Sequence, residues 1–89
     1  MPVVHFTSHL QRFLDCPDTE APGNTVYRVL ESVFCRNPKL RNYVLDDQGV
    51  VRRHVNIFVD GEPIVDRLNL SDPLGESSEV FVLQALSGG

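Results

Sequence analysis

Basic residues are scarce in this chain: eight lysines and arginines stand against twelve aspartates and glutamates, for a formal net charge of -4. A surface of that sign repels phosphate, and Arg52-Arg53 is the only adjacent basic pair, so no nucleic-acid partner is expected. Cysteine is equally sparse. Cys16 and Cys35 are too few and too far apart for a paired zinc site, so no metal is expected and both are read as inert core or half-buried thiols. No apolar run approaches the ~20 residues needed to cross a bilayer, and the N-terminus lacks the basic-then-apolar pattern of a signal peptide. The expectation is a cytosolic protein without a membrane partner. There is no glycine-rich phosphate loop, so no nucleotide or other cofactor is expected on the chain itself. Internal repeats and low-complexity tracts are also missing, and 89 residues supply one core at most.

What is present is hydrophobic patterning. Val3, Val4 and Phe6, then Leu10, Phe13 and Leu14, form two short runs that predict a first hairpin or strand pair. The segment "DCPDTEAPG", with two prolines and a glycine, is expected to break that ladder. A helix follows, capped by Asn24 or Thr25, because Val26, Val29, Leu30, Val33 and Phe34 recur at helical spacing along one face. Pro38 ends it, "KLRNYVL" suggests a further short turn, and "DDQG" reads as a loop. "HVNIFVDGEPI" alternates like a strand and runs into Asp60-Gly61, a dipeptide suited to a tight hairpin turn. "NLSDPLGESSE" is a polar connection with a single helical turn at "SDPL", and "EVFVLQAL" is the last strand. The order strand, strand, helix, strand, short strand, strand predicts an α+β fold, a mixed sheet of four to five strands with one main helix on one face.

Alternation then assigns the faces. Val80 and Val82 point one way and Phe81 and Leu83 the other; Val55, Ile57 and Val59 oppose His54, Asn56 and Phe58. If the valines and isoleucine meet the helix, Phe58, Phe81 and Leu83 remain on a face with nothing to cover it, the usual mark of a partner surface. The chain closes on "FVLQALSGG". Residues 1–84 are expected to form the domain and residues 85–89 a flexible tail, with Gly88 and Gly89 free of Cβ atoms and able to thread a narrow channel. From Gln84 the tail reaches about 20 Å when extended.

Catalytic machinery is not evident. His5 and His9 are four apart in a strand-like region, where that spacing does not bring them together, and each reads as a surface or edge residue. His54 has no evident carboxylate partner, and Asp15, Asp18, Asp46 and Asp47 read as solvated loop acids. The chain is not expected to be an enzyme. Its one reactive candidate is the terminal carboxylate.

With the first hairpin, the "TVYRVLESV" helix, "RRHVNIFVDGE", "DPLGESSEVFVL" and the terminal "SGG" in place, the chain resembles the ThiS/MoaD family of ubiquitin-like sulfur carriers with the β-grasp fold. The middle segment is similar to the longer members that serve cysteine or thio-metabolite synthesis. The resemblance implies that a MoeB/ThiF-type adenylating enzyme, using ATP and magnesium, joins AMP to the Gly89 carboxylate, and that a sulfur donor then displaces AMP to leave a thiocarboxylate. Gly89 carries the sulfur and Gly88 gives access. Phe58, Phe81 and Leu83 form the docking patch, and Arg52 or Arg53 adds polar contacts at its rim. A sulfur-accepting synthase then takes the sulfur toward cysteine, a thioacid siderophore, molybdopterin or thiazole. Some relatives are made with residues beyond the Gly-Gly that a metalloprotease removes; this sequence ends at Gly89, ready as translated or in the mature form. Two alternatives stay open: a ubiquitin-like modifier joined through Gly89 to lysines, and a binding module in which the glycines are incidental.

Overall fold

The computed structural model describes residues 1–6 and 18–84. Five strands, β1 (Val3–Phe6), β2 (Asp18–Glu20), β3 (Val55–Val59), β4 (Glu62–Pro63) and β5 (Glu79–Gln84), form one sheet in the order β2-β1-β5-β3-β4. The central pair, β1 and β5, is parallel, and the other pairings are antiparallel. Helices α1 (Val26–Arg36) and α2 (Pro38–Val44) lie between β2 and β3 in the chain.

The helix begins where the sequence predicts. Thr25 is the N-cap, and its hydroxyl oxygen accepts the Arg28 N–H at 3.2 Å. The two N–H groups before it donate to the Asp72 and Leu70 carbonyls, so the first turn is satisfied by the protein itself. Val26, Val29, Leu30, Val33 and Phe34 are all buried. They meet Val4, Phe6, Val55, Ile57, Val80 and Val82 from one face of the sheet, and Leu40, Val44, Leu45, Leu70 and Leu74 close the core. Each such side chain contributes roughly 1.5–3 kcal/mol of burial. The β3–β4 hairpin turns on Asp60 (φ 50°) and Gly61 (φ 90°), both positive as a type I′ turn requires.

Four expectations are corrected. The strand that pairs with β1 among the described residues is β2, inside the segment read as a ladder break. Pro17 and Pro22 flank its three residues rather than interrupting them, and β2 is an edge strand, where proline neighbours are tolerated. Leu10, Phe13 and Leu14 lie outside the described residues. Pro38 does more than stop a helix: it opens α2, in the first-turn position where its missing N–H costs nothing. The single helical turn expected at "SDPL" is not there: the turn in this connection falls earlier, at residues 67–69, and Pro73 instead bridges to Thr25. Finally, Cys35 is exposed rather than buried, because nine residues after Val26 it has rotated to the side of α1 opposite the apolar stripe. Cys16 lies outside the described residues.

No helix among the described residues is long and apolar enough to cross a membrane.

Candidate functional site: the bare face of the sheet and the end of β5

The register sets the second face of the sheet side chain by side chain. His5 stands beside Phe81, Phe81 beside Phe58, and Phe58 beside Pro63, giving one continuous row across β1, β5, β3 and β4. Leu83 sits beside Asn56 in the row toward the end of β5. Phe58, Phe81 and Leu83 are half-buried, while Val80 and Val82 on the covered face are fully buried. Parallel strand pairs are normally covered on both faces. Here the parallel pair β1–β5 is covered by α1 on one side and carries a half-exposed aromatic row on the other.

His5 is the member of this face that sequence reasoning left out. Its ring stacks on Phe81 with centroids 4.5 Å apart and an interplanar angle of 20°, and Nε2 lies 3.0 Å from Glu79 Oε1. The signal was available: in "VVHF", the buried Val4 and Phe6 alternate with Val3 and His5, which puts His5 on the face of Phe81.

Phe58, Phe81 and Leu83 are therefore brought together on adjacent strands. Arg52 and Arg53 stand on the turn that leads into β3. Arg52 reaches back to α2, where Nε donates to the Asn42 carbonyl at 2.8 Å, whereas Arg53 is exposed. That turn adjoins the root of the tail, because Val55, the first residue of β3, pairs with Gln84, the last of β5. Gly88 and Gly89 lie outside the described residues.

Other polar groups brace loops. Asp46 is held below the usual carboxylate range, first by the Val50 N–H and also by Gln48, in the turn before β3. Asp66 is held low by the Ser71 hydroxyl and the Asn69 N–H. A general base at neutral pH needs the opposite shift. Among the described residues no three His, Cys, Asp or Glu side chains are grouped to hold a metal ion. Between α1 and α2 a groove of about 330 Å³ is lined by Tyr27, Leu30, Glu31, Phe34 and Arg41. Its floor is buried core, and the hydrogen bond to Glu31 holds the Tyr27 phenol above its usual range.

No protein-family model matches the chain, and no curated protein matches its sequence. Solved structures do match. A chain of the Amycolatopsis orientalis BexX/CysO complex is similar with a TM-score of 0.87 and 20% identity, over 100% of both chains. The small archaeal modifier protein 1 (SAMP1) of Methanosarcina acetivorans is similar with a TM-score of 0.86 and 23% identity, over 99% of this chain and 95% of that one. CysO of Mycobacterium tuberculosis is similar with a TM-score of 0.84 and 20% identity, over 97% of this chain and 100% of that one. At such identities the likeness carries the fold: the chain is an α+β protein of the ubiquitin-like β-grasp fold, the fold its resemblance to the ThiS/MoaD carriers implies.

Proposed function

We propose that this protein is a small sulfur carrier whose working atom is the terminal carbon of Gly89. The observation that carries the reading is the half-exposed row His5, Phe81 and Phe58 on the side of a parallel strand pair opposite α1, with β5 running from that row to Gln84, five residues before Gly89 in the sequence. A partner seated on the row receives the tail at a fixed point of origin, while the last residues reach about 20 Å into its active site. The BexX/CysO structure is of a complex, which supports a chain of this fold working bound to a second protein.

The chemistry then follows from what a carboxylate lacks. Unactivated, it is a poor electrophile. In the activating enzyme, which supplies ATP and magnesium, a Gly89 carboxylate oxygen attacks the α-phosphorus and pyrophosphate leaves. A sulfide-level donor then adds to the acyl carbon, AMP departs, and the thiocarboxylate remains. Its sulfur is an anion at neutral pH and a good nucleophile for an accepting synthase. In this scheme the chain contributes the docking row, the tail and the reacting carbonyl. Among the acceptors, the resemblance of the middle segment to the longer family members favours a route toward cysteine or a thio-metabolite.

The likeness to a protein named as a modifier, that of Methanosarcina acetivorans, favours a second reading, in which the activated Gly89 is joined to a lysine of another protein. Conjugates on target lysines in cells would distinguish it. Both readings share one test. ATP–pyrophosphate exchange by the activating enzyme should be supported by the intact chain and abolished when Gly89 is deleted, with the fold unchanged. Equal exchange with and without Gly89 would leave only the non-reactive binding module.

A further inference from the structure

The sheet face opposite α1 changes character from one row to the next. The register sets Glu20, Val3 and Glu79 side by side across β2, β1 and β5, and in the next row Asp18, His5 and Phe81, continued by Phe58 and Pro63. Acidic residues of β2 and β5 therefore stand on both sides of β1, whereas toward β3 and β4 the row of His5 carries no charge. His5 sits at that boundary. Among the described strand residues it is the one group whose ordinary charge change falls between about pH 5 and 8.

Two contacts hold its ring. It stacks on Phe81 with centroids 4.5 Å apart, and Nε2 lies 3.0 Å from Glu79 Oε1. An ionised carboxylate only accepts, so Nε2 carries the proton of the neutral ring and acid adds the second at Nδ1. The His5 side chain is 21% exposed and that of Glu79 56%. The imidazole is thus largely out of water already, while its carboxylate stays in water at the margin of the row. Neighbouring polar groups are committed elsewhere: Asp60 Oδ1 accepts the Glu79 N–H at 2.9 Å, and Arg36, from α1, donates to the Glu20 carbonyl at 3.2 Å.

A partner seated on Phe81 and Phe58 removes the remaining water from the ring. Burial disfavours the charged form of a histidine, and an attraction to a carboxylate that is itself hydrated returns only part of the lost solvation. We propose that His5 is a pH-sensitive gate on the docking row, open when the ring is neutral and closing as it is protonated, so that the activating enzyme binds the chain more weakly in acid. The proposal rests on the reading of that row as the enzyme's docking surface. By linkage, a partner that prefers the neutral ring expels a proton on binding; affinity is full above the His5 midpoint and falls by up to about tenfold per pH unit below it.

The test has two parts. In the chain alone, an NMR titration of the His5 ring should give a midpoint that Glu79→Gln moves down, because the carboxylate favours the protonated ring. In ATP–pyrophosphate exchange with the purified activating enzyme, KM for the full chain is then followed from roughly pH 7.5 to 5.5, across the ordinary histidine range, for wild type and His5→Phe. His5→Phe keeps a ring on Phe81 and takes no proton, and His5→Gln serves as a second neutral variant if the new ring disturbs folding. The ratio of wild-type to variant KM at each pH removes the enzyme's own titration. That ratio should rise about tenfold on acidification, the factor that one pKa unit of differential binding represents. A flat ratio, or one that rises toward high pH, would overturn the gate and leave the carrier reading standing. A His5 midpoint unmoved by Glu79→Gln would overturn the pairing on which the gate is built. Failure of the wild-type chain to support exchange at any pH would overturn the carrier reading, and the gate with it.

Discussion

The two faces of one sheet are built from the same short strands and differ at every alternate residue. Val4, Phe6, Val55, Ile57, Val80 and Val82 are buried under α1; Val3, His5, Phe58, Phe81 and Leu83, one position along, stay half-buried, with no helix above them among the described residues. The first set is aliphatic apart from Phe6, the residue choice of a packed core. The second is richer in rings, which keep large contact area with few rotamers to lose and are favoured at interfaces. The contrast separates two jobs. On the reading proposed above, one face makes the domain fold and the other is completed by a partner, so substitutions should divide into those that unfold the protein and those that isolate it.

The largest effect on stability should come from the covered face. Leu30→Ala or Ile57→Ala removes a side chain that is 1% exposed and should cost about 2–5 kcal/mol in urea titration. That is a large share of the roughly 5–15 kcal/mol a domain has available. Phe81→Ser is the matched change on the bare face. It should cost about 1 kcal/mol, the scale of a cross-strand pair with Phe58, while raising the activating enzyme's KM far more than any covered-face variant that still folds. Equal losses of stability from the two faces would break the comparison.

Glycines give a finer test. A Cβ at Gly23, φ 148°, would lie 2.8 Å from the Arg28 Cβ and 2.9 Å from the Val29 nitrogen, so Gly23→Ala should displace the start of α1 and cost well over ~1 kcal/mol. At Gly61 a Cβ meets nothing within 4 Å, and Gly61→Ala should cost only the ~1 kcal/mol of a left-handed backbone. Similar in size is Thr25→Ala, which leaves the Arg28 N–H without its cap and should cost about 1 kcal/mol.

The smallest effect is in pH. Asp66 and Asp46 have folded-state values below the usual carboxylate range, through the Ser71 hydroxyl and the Val50 N–H respectively. A depressed carboxylate contributes stability above its unfolded value and loses it as pH falls through the folded one. Urea midpoints should therefore fall on acidification below about pH 4, and Asp66→Asn should flatten part of that fall. A steeper acid loss in Asp66→Asn than in wild type would contradict the role given to that loop.

Much of this was legible in the sequence because it is local. The α1 stripe, its Thr25 cap, the Asp60-Gly61 hairpin and the opposition of Val80 and Val82 to Phe81 and Leu83 are periodicities or turn chemistries within a dozen residues. The rest depends on partners distant in the chain. β2 is the tripeptide Asp-Thr-Glu, with no apolar alternation to announce it; it is a strand because β1 pairs with it, and Arg36 donates to the Glu20 carbonyl at 3.2 Å to hold it under α1. The turn at residues 67–69 is fixed by Asp66 and by Arg67 reaching β3, neither of which a propensity records. Alternation in "VVHF" gives the face of His5, but its stacking on Phe81 comes from the parallel pairing of β1 with β5, which no local pattern records.

The most direct measurement is the intact mass of the chain after incubation with the activating enzyme, ATP, magnesium and a sulfide donor. The expected result is the mass gain of one oxygen-to-sulfur exchange, located at Gly89 by fragmentation and reversed by alkaline or oxidative hydrolysis of the thiocarboxylate. An unchanged mass, under conditions in which the same enzyme thiolates a known carrier, would contradict it.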